Sequence, residues 1–294
     1  MLGSVITAMV TPFRPDGAVD LERFRDLATF LVENGSDGLV VSGTTGESPT
    51  LSDEEKLELF HAAVETVGDR ATIVAGTGTY DTGHSAALTS AATELGVDAI
   101  LVVTPYYNKP PQRAIVRHFE EIAGATHLPV VAYNIPGRVV VNIESETIAR
   151  LAEIENVVAV KQAHDDPDQA RFIAEETRLD LYSGDDPNTL AFLDLGGVGV
   201  VSVTAHLWGP QIAEMVRRHR DGDLDGARAL HEEQQPSYDL LRIQTNPIPI
   251  KAALNLTGHE VGGHRLPMVE PDEAELTQIR SCLERAGMLA AASA

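Results

Sequence analysis

The chain has 294 residues, 43% of them hydrophobic, so it is long enough to bury a large core. Its net charge of -22 and its four lysines disfavour a nucleic-acid partner, because phosphate binding requires clustered basic side chains. The single cysteine, Cys282, excludes an internal disulfide and fits a reducing cytoplasm.

The start of the chain, MLGSVITAMVTPF, predicts a strand and not a signal peptide, because no basic region precedes its apolar residues. No apolar run approaches the roughly 20 residues that a membrane helix needs. We therefore expect a cytoplasmic protein with no membrane partner.

Eight short runs rich in β-branched residues predict strands, with helical patterns between them. Most are continuously apolar, as in parallel strands covered on both faces. Eight such units predict an α/β fold, a (β/α)8 TIM barrel, whose usual size is ~250 residues. A doubly wound sheet is the alternative, but it would more usually have about five or six strands. The runs are SVITAMV (4 to 10), GLVVSG (38 to 43), TIVAGTG (72 to 78), AILVVTP (99 to 105), VVAYNIP (130 to 136), VVAVKQ (157 to 162), LDLYSGD (179 to 185) and GVVSVTA (199 to 205).

Two of the predicted helices carry start and stop signals. One begins at Ser52 and has Glu55 in the third helical position, a capping-box pattern, and we expect a left-handed turn at Gly68 to end it. Another, LERFRDLATFLVE, is expected to end at the Asn-Gly pair 34–35.

Strand signals stop near the segment RRHRDGDLDG (217 to 226), and the rest of the chain has helical patterns. We predict a catalytic barrel over residues 1–223 and a helical extension over residues 224–294. The final AAASA is expected to fray.

Lys161 follows an apolar strand, at the position where a TIM barrel places its active site. An apolar barrel mouth would strip water from this amine and disfavour its charged form, and an uncharged amine can attack a carbonyl carbon. The alternative is a strand-end lysine that reaches solvent or pairs with the aspartates at 165 and 166. The remaining lysines are expected to be ordinary: Lys56, Lys109 and Lys251.

Other strand ends supply the further groups that imine chemistry needs. Thr44 and Thr45 offer hydroxyls and amides to a carboxylate, although the same stretch could be only a turn. Tyr133 offers a phenol and Arg138 a guanidinium suited to carboxylates. Taken singly, the tyrosine could be a core residue and the arginine a solvated loop residue.

Two adjacent aromatic residues, Tyr106 and Tyr107, follow the fourth predicted strand. Exposed aromatics near a strand end often serve a subunit contact. We interpret the pair in that way.

Over nearly its whole length the chain resembles the dihydrodipicolinate synthase family, also called 4-hydroxy-tetrahydrodipicolinate synthases. Each motif is weak alone, but together and in this order they are highly specific. The motifs are GTTGESPTL (43 to 51), TPYYNKP (104 to 110), YNIPGR (133 to 138), VKQA (160 to 163), SGDD (183 to 186), GGVGVVSVTA (196 to 205) and NPIPIKAAL (246 to 254).

The resemblance implies a (β/α)8 aldolase-type lyase that condenses pyruvate with L-aspartate 4-semialdehyde in lysine and diaminopimelate biosynthesis. It makes Lys161 the amine that forms an imine with pyruvate, with no separate cofactor. Tyr133 would be the acid and base, linked through Thr44 to Tyr107 of a neighbouring subunit. The family also implies a homotetramer, a dimer of dimers.

The same resemblance assigns substrate contacts to four further residues. Thr45 would hold the pyruvate carboxylate and Arg138 would position the semialdehyde. Gly184 and Val201 would contribute backbone contacts near the imine and the second substrate.

The sequence departs from the family pattern beside these residues. Val139 and Val140 follow the arginine where the family usually has Thr-Gly, Gln162 replaces a common Glu, and His206 replaces a frequent Asn. These departures put the geometry of the second-substrate pocket in question.

Lysine-inhibited members of the family bind the amino acid at a cleft between subunits. A cation at position 56, and no carboxylate at position 84, would oppose an incoming lysine ammonium group. We therefore predict weak or absent inhibition by L-lysine. The matching positions hold Pro49, Asp53, Lys56, Tyr80 and His84.

Other functions remain as alternatives at this stage. Another pyruvate-dependent aldolase, such as N-acetylneuraminate lyase or a 2-keto-3-deoxy sugar acid aldolase, would use the same lysine. A metal-dependent aldolase is disfavoured because the ten histidines form no HxxxH or HxH pair. A non-catalytic barrel that only binds its ligand is the alternative from a different class.

Overall fold

The computed structural model describes residues 2–290 and has the predicted strands in a closed parallel barrel. All eight predicted strands are confirmed, each inside its predicted run. They are β1 (Val5–Ala8), β2 (Gly38–Val41), β3 (Thr72–Gly76), β4 (Ala99–Val103), β5 (Val130–Asn134), β6 (Val157–Gln162), β7 (Asp180–Ser183) and β8 (Gly199–Ser202).

The strand side chains divide between two cores. One set fills the barrel and includes Ile6, Val40, Val131 and Tyr133. The other set packs between the strands and the surrounding helices. Because successive side chains of a strand point to opposite faces, this alternation decides which residues can reach the barrel mouth.

The helices surround the barrel and continue past it. They are α1 (Leu21–Glu33), α2 (Asp53–Val67), α3 (Thr82–Glu94), α4 (Gln112–Ala123), α5 (Pro136–Val139), α6 (Ser145–Leu151), α7 (Pro167–Glu176), α8 (Thr189–Asp194), α9 (Ala205–Arg220), α10 (Leu224–Glu233), α11 (Gln235–Ile243), α12 (Ile248–Leu256) and α13 (Glu273–Arg285). Within residues 2–290, no helix is both long and apolar enough to cross a membrane.

The predicted start of α2 and its end at Gly68 are confirmed, whereas the predicted left-handed conformation of Gly68 is wrong. The Ser52 side chain accepts a hydrogen bond from the Glu55 backbone, and the Glu55 side chain accepts one from the Ser52 backbone. Gly68 has a φ of -63° and is right-handed. The chain makes a further turn here, in which Arg70 and Ala71 donate to the Val67 carbonyl, so no left-handed residue is needed.

The helical extension is confirmed by α10 to α13. Its residues Ile250, Leu254 and Ile279 belong to the same core cluster as the outer faces of the strands. The extension is thus packed on the barrel. The predicted boundary between barrel and extension, at residues 223 and 224, stays a prediction. The predicted fraying concerns residues 290–294, which apart from 290 lie outside the described part.

Candidate active site

A cavity of about 210 Å³ lies at the carboxyl ends of the strands. Three of the predicted site residues line it: Thr44 after β2, Tyr133 in β5 and Arg138 in α5. Much of the remaining wall is apolar. That part includes Leu101, Val103, Ile135 and Val139.

Lys161 lies against the ring of Tyr133. The two residues are register partners in β5 and β6, and the Lys161 Nζ is 4.2 Å from the centre of the phenol ring. Ala159 belongs to the inner core and Val160 to the outer one, so the alternation of β6 places Lys161 on the inner face. The lysine is only 5% exposed. The strand therefore carries its amine into the barrel mouth, beside a potential proton donor.

Gln162, the departure next to Lys161, belongs to a buried amide network on the opposite face of β6. Asn134 of β5 donates from Nδ2 to the Gln162 Oε1 at 3.0 Å, and Gln162 donates to the Gln169 Oε1 at 2.7 Å. Gln169 donates to the Ile143 carbonyl, and the Ile143 N–H donates back to Asn134. Gln162 therefore fixes β5 and β6 from behind and lies outside the cavity lining.

The two threonines lie on a tight turn after β2. Glu47 donates its backbone N–H to the Thr44 carbonyl at 3.1 Å, which closes the turn. Thr45 is 3% exposed, and its Oγ1 accepts a hydrogen bond from the Asn246 Nδ2 at 2.8 Å. Since this bond occupies an acceptor position, the Thr45 hydroxyl proton can be donated elsewhere.

Arg138 is anchored by the loop before α12. Its Nη2 donates to the Asn246 carbonyl at 3.1 Å and to the Thr245 Oγ1 at 3.3 Å. Of the two valines that depart from the family pattern, Val139 lines the cavity and Val140 is 65% exposed with a left-handed φ of 70°. Val139 can therefore affect the pocket directly.

Gly184 follows β7, the strand paired with the Lys161 strand β6, and Val201 lies on β8. A Cβ on Gly184 would lie 3.0 Å from the Lys161 Cγ and 2.8 Å from the Ala163 Cβ, so a side chain there would displace the lysine stem. Val201 is 3% exposed and shares the inner core cluster with Tyr133. The substrate contacts assigned to both residues stay predictions.

Tyr107, a predicted catalytic residue, lies at the surface of the single chain and outside the cavity lining. It is 91% exposed and has a φ of 72°. Tyr106, in contrast, lines the cavity and makes an edge contact with Tyr80 at 5.3 Å between ring centres. The two adjacent tyrosines therefore have different surroundings.

Comparisons with known proteins give one consistent family. Residues 1–286 match the Dihydrodipicolinate synthetase family. A 4-hydroxy-tetrahydrodipicolinate synthase of Desulforudis audaxviator is 51% identical over 289 residues, covering 98% of each chain. The chain belongs to the dihydrodipicolinate synthetase family. The family consists of lyases, so the chain is an enzyme and the alternative of a non-catalytic binding barrel is wrong.

Solved structures agree with this assignment. The synthase of Cyanidioschyzon merolae with lysine bound has a TM-score of 0.96 and 43% identity, over 98% of this chain and 99% of that one. A chloride-inhibited synthase of Acinetobacter baumannii complexed with pyruvate has a TM-score of 0.95 and 37% identity, over 98% and 100%.

Lys251 is not the ordinary residue that the sequence predicted. It is fully buried, and its Nζ donates to the Glu47 Oε1 at 2.9 Å, to the Thr11 carbonyl at 3.0 Å and to the Gly263 carbonyl. Burial lowers the pKa of Lys251, while the charge of Glu47 opposes that shift. A cation inside the apolar segment IPIKAALNL was the available signal, because α12 is buried on nearly every side.

The five positions matched to the family's lysine cleft include a polar cluster. Lys56 is also buried, at 5% exposure, and its Nζ lies 3.6 Å from the Asp53 Oδ1. The His84 Nε2 lies 2.7 Å from the Asp53 Oδ2. Burial acts to raise the pKa of Asp53, but the hydrogen bond and charge of His84 and the charge of Lys56 lower it overall. Asp53 is therefore already engaged by two partners.

His206, the third departure, is buried away from the cavity lining. Its Nε2 accepts a hydrogen bond from the Val10 N–H at 3.1 Å. Its Nδ1 lies 2.8 Å from the Val203 carbonyl oxygen and donates to it, because a carbonyl oxygen can only accept. Burial lowers the pKa of His206 to about 4. A neutral imidazole thus joins the segments that follow β1 and β8.

No group of three or more His, Cys, Asp or Glu residues within residues 2–290 is placed to hold a metal ion.

Proposed function

We propose that the chain condenses pyruvate with L-aspartate 4-semialdehyde through an imine on Lys161, as a 4-hydroxy-tetrahydrodipicolinate synthase. The observation that carries the proposal is the amine of Lys161, 5% exposed and 4.2 Å from the ring centre of Tyr133. The name of the Desulforudis audaxviator relative and the pyruvate complex of the Acinetobacter baumannii synthase support it.

In the first step the neutral amine of Lys161 attacks the C2 carbonyl carbon of pyruvate. Tyr133 lies against this amine and is the proposed donor of a proton to the oxygen that leaves C2 as water. The hydroxyl of Thr45, oriented by Asn246, is the proposed donor to the pyruvate carboxylate. Loss of a proton from C3 then converts the imine to an enamine.

In the second step the enamine carbon attacks the aldehyde of the semialdehyde, and the aldehyde oxygen becomes a hydroxyl. Arg138 is the proposed partner of the semialdehyde carboxylate, because the contacts of its Nη2 leave other guanidinium donors available. The substrate amino group then attacks C2, closes the ring and releases the Lys161 amine. The imine carries the reaction without a separate cofactor. Gly184 and Val201 are the proposed backbone contacts at this centre.

The proposal includes a homotetramer, a dimer of dimers, in which Tyr107 of a neighbouring copy completes the proton path through Thr44. The 91% exposure of Tyr107 supports this role, since a ring so exposed is available to another chain. A cytoplasmic location is part of the same proposal.

Borohydride reduction in the presence of pyruvate, followed by peptide mapping, tests the chemistry. We expect the adduct on Lys161 and its loss in Lys161→Ala, while Lys109→Ala, an exposed-lysine control, keeps it. An unmodified Lys161 in the native protein would contradict the proposal. Supplying different aldehydes and following the product with a dipicolinate-type reductase separates this synthase from the sugar-acid aldolases.

We also predict weak or absent inhibition by L-lysine. The Lys56 ammonium lies beside Asp53, so a second ammonium would meet a like charge and a carboxylate that is already paired. Activity measured against increasing L-lysine should stay nearly constant through the sub-millimolar range. Half-inhibition in that range would refute the prediction, and Lys56→Met provides a variant in which the like charge is removed.

A further inference from the structure

The turn that carries Thr44 and Thr45 ends at a buried ion pair formed with the C-terminal extension. The side chains of Glu47 and Lys251 are 1% and 0% exposed, and Oε1 lies 2.9 Å from Nζ. The two other hydrogens of the ammonium are accepted by the carbonyls of Thr11 and Gly263. All three donors of the lysine thus have acceptors, although the residues involved lie far apart in the sequence.

Glu47 links this pair directly to the threonine turn. Its φ of 56° is left-handed, a conformation that a residue with a side chain keeps only where its surroundings impose it. Its backbone N–H donates to the Thr44 carbonyl, and its Oε2 accepts the backbone N–H of Arg265 at 3.1 Å. Both carboxylate oxygens therefore hold the strained residue in place.

Neighbouring contacts hold the rest of the turn. Thr11, whose carbonyl accepts from Lys251, donates its hydroxyl to the Gly46 carbonyl at 2.7 Å. Asn246, in the loop just before the helix of Lys251, donates to the Thr45 hydroxyl. The carbonyls of residues 44 and 46 and the hydroxyl of residue 45 are thus all fixed by groups connected to the same buried cluster.

Stability alone is a poor explanation for this pair. Two charges removed from water lose much of their hydration, and a well-packed apolar pair of similar volume is often as stable or more so. What an apolar pair could not do is hold Glu47 in a left-handed conformation through hydrogen bonds to Lys251 and Arg265. The feature that needs the charges is the shape of the turn.

We infer that Glu47 and Lys251 are positioning residues that fix the turn at 43–48, so that the Thr44 and Thr45 hydroxyls meet the pyruvate carboxylate and the proton path. This inference rests on the proposed function and deepens it, since it assigns pyruvate recognition to contacts made by the extension. Neither residue touches the substrate.

The test compares Glu47→Gln, Lys251→Met and the double variant that carries both changes. In each we expect the pyruvate KM to rise by about 10- to 100-fold, with slower borohydride trapping on Lys161, because small displacements of binding groups have effects of this size. Amide hydrogen exchange at residues 44–47 should be faster in the ligand-free variants. Ile279→Ala, a buried residue of α13, is the control for a general loss of stability.

The double variant separates positioning from stability. It removes both charges, so its Tm should recover toward that of the native protein while its pyruvate KM stays raised. If the variants keep a pyruvate KM within about twofold of the native value while their Tm falls as in Ile279→Ala, the pair is only structural and the inference is overturned. If the native protein yields no Lys161 adduct, the proposed function and this inference are both overturned. That result is observed in the native protein and is therefore distinct from the results for the variants.

Discussion

The two sides of the barrel mouth are held by polar networks of different kinds. Behind Lys161, the neutral side chains of Asn134, Gln162 and Gln169 connect β5, β6 and α7. Behind the threonine turn, the charged side chains of Glu47 and Lys251 connect the end of β2 to α12. One network uses amides from neighbouring elements, and the other uses ions from residues 204 positions apart.

The difference explains what each part of the chain contributes to the site. The surroundings of Lys161 are complete within the barrel, since each amide partner lies on β5, β6 or an element close to them in sequence. The threonine turn is complete only when the extension is packed against it. The extension therefore has a direct part in shaping the candidate site.

The largest effect expected from this comparison is the loss of the buried cation. Lys251→Met leaves the Glu47 carboxylate buried without its paired ammonium and should lower the free energy of unfolding by about 3–5 kcal/mol. Denaturant unfolding measures this decrease in the free energy of unfolding. Lys109→Met, the same change at an exposed lysine, should lie within about 0.5 kcal/mol of the native protein. Equal values for the two variants would mean that the ion pair does not hold the extension.

A smaller effect is expected from the neutral network. Gln162→Leu keeps much of the side-chain volume but removes a donor and an acceptor, so it should cost about 1–3 kcal/mol. The same unfolding experiment applies, with Gln278→Leu on the exposed face of α13 as the control. If Gln162→Leu lost more stability than Lys251→Met, the neutral network would contribute more to stability than the charged one, contrary to the prediction.

Much of the fold and part of the site could be predicted because their signals are local. The strand runs are β-branched and apolar, and the parallel barrel brings their carboxyl ends together, so Lys161, Tyr133 and Thr44 had to approach one another. The alternation along β6 also decides that Lys161 faces inward while Gln162 faces outward. These conclusions need no knowledge of distant contacts.

The rest depended on partners that the sequence does not bring together. The prediction that Lys251 is an ordinary lysine failed because its partners Glu47, Thr11 and Gly263 come from three distant segments. The right-handed ending at Gly68 depends on how the following residues turn. Tyr107 is 91% exposed in the single chain, and the partner proposed for it, another copy of the chain, is one that a single sequence does not bring beside it.

The smallest expected effect concerns His206, a neutral group that acid would convert to a buried charge. Its pKa in the folded protein is about 4 because of burial, against 6.5 in the unfolded chain. Between these values the unfolded state binds more protons, so stability is fully present above pH 6.5 and decreases as the pH falls toward 4. His206 should account for a loss of about 1 kcal/mol between pH 7 and 5.5.

Comparison with His206→Asn isolates this contribution. The variant has no imidazole at the position, so its free energy of unfolding should decrease less steeply over the same pH range. His118, whose pKa is also lowered to about 4 by burial, titrates in both proteins and cancels from the difference. A constant loss of stability in the variant does not matter, because only the slopes are compared. Parallel slopes would contradict the prediction, because they would show that His206 titrates alike in the folded and unfolded states, so that acid protonates the Nε2 that accepts the Val10 N–H without an extra loss of stability.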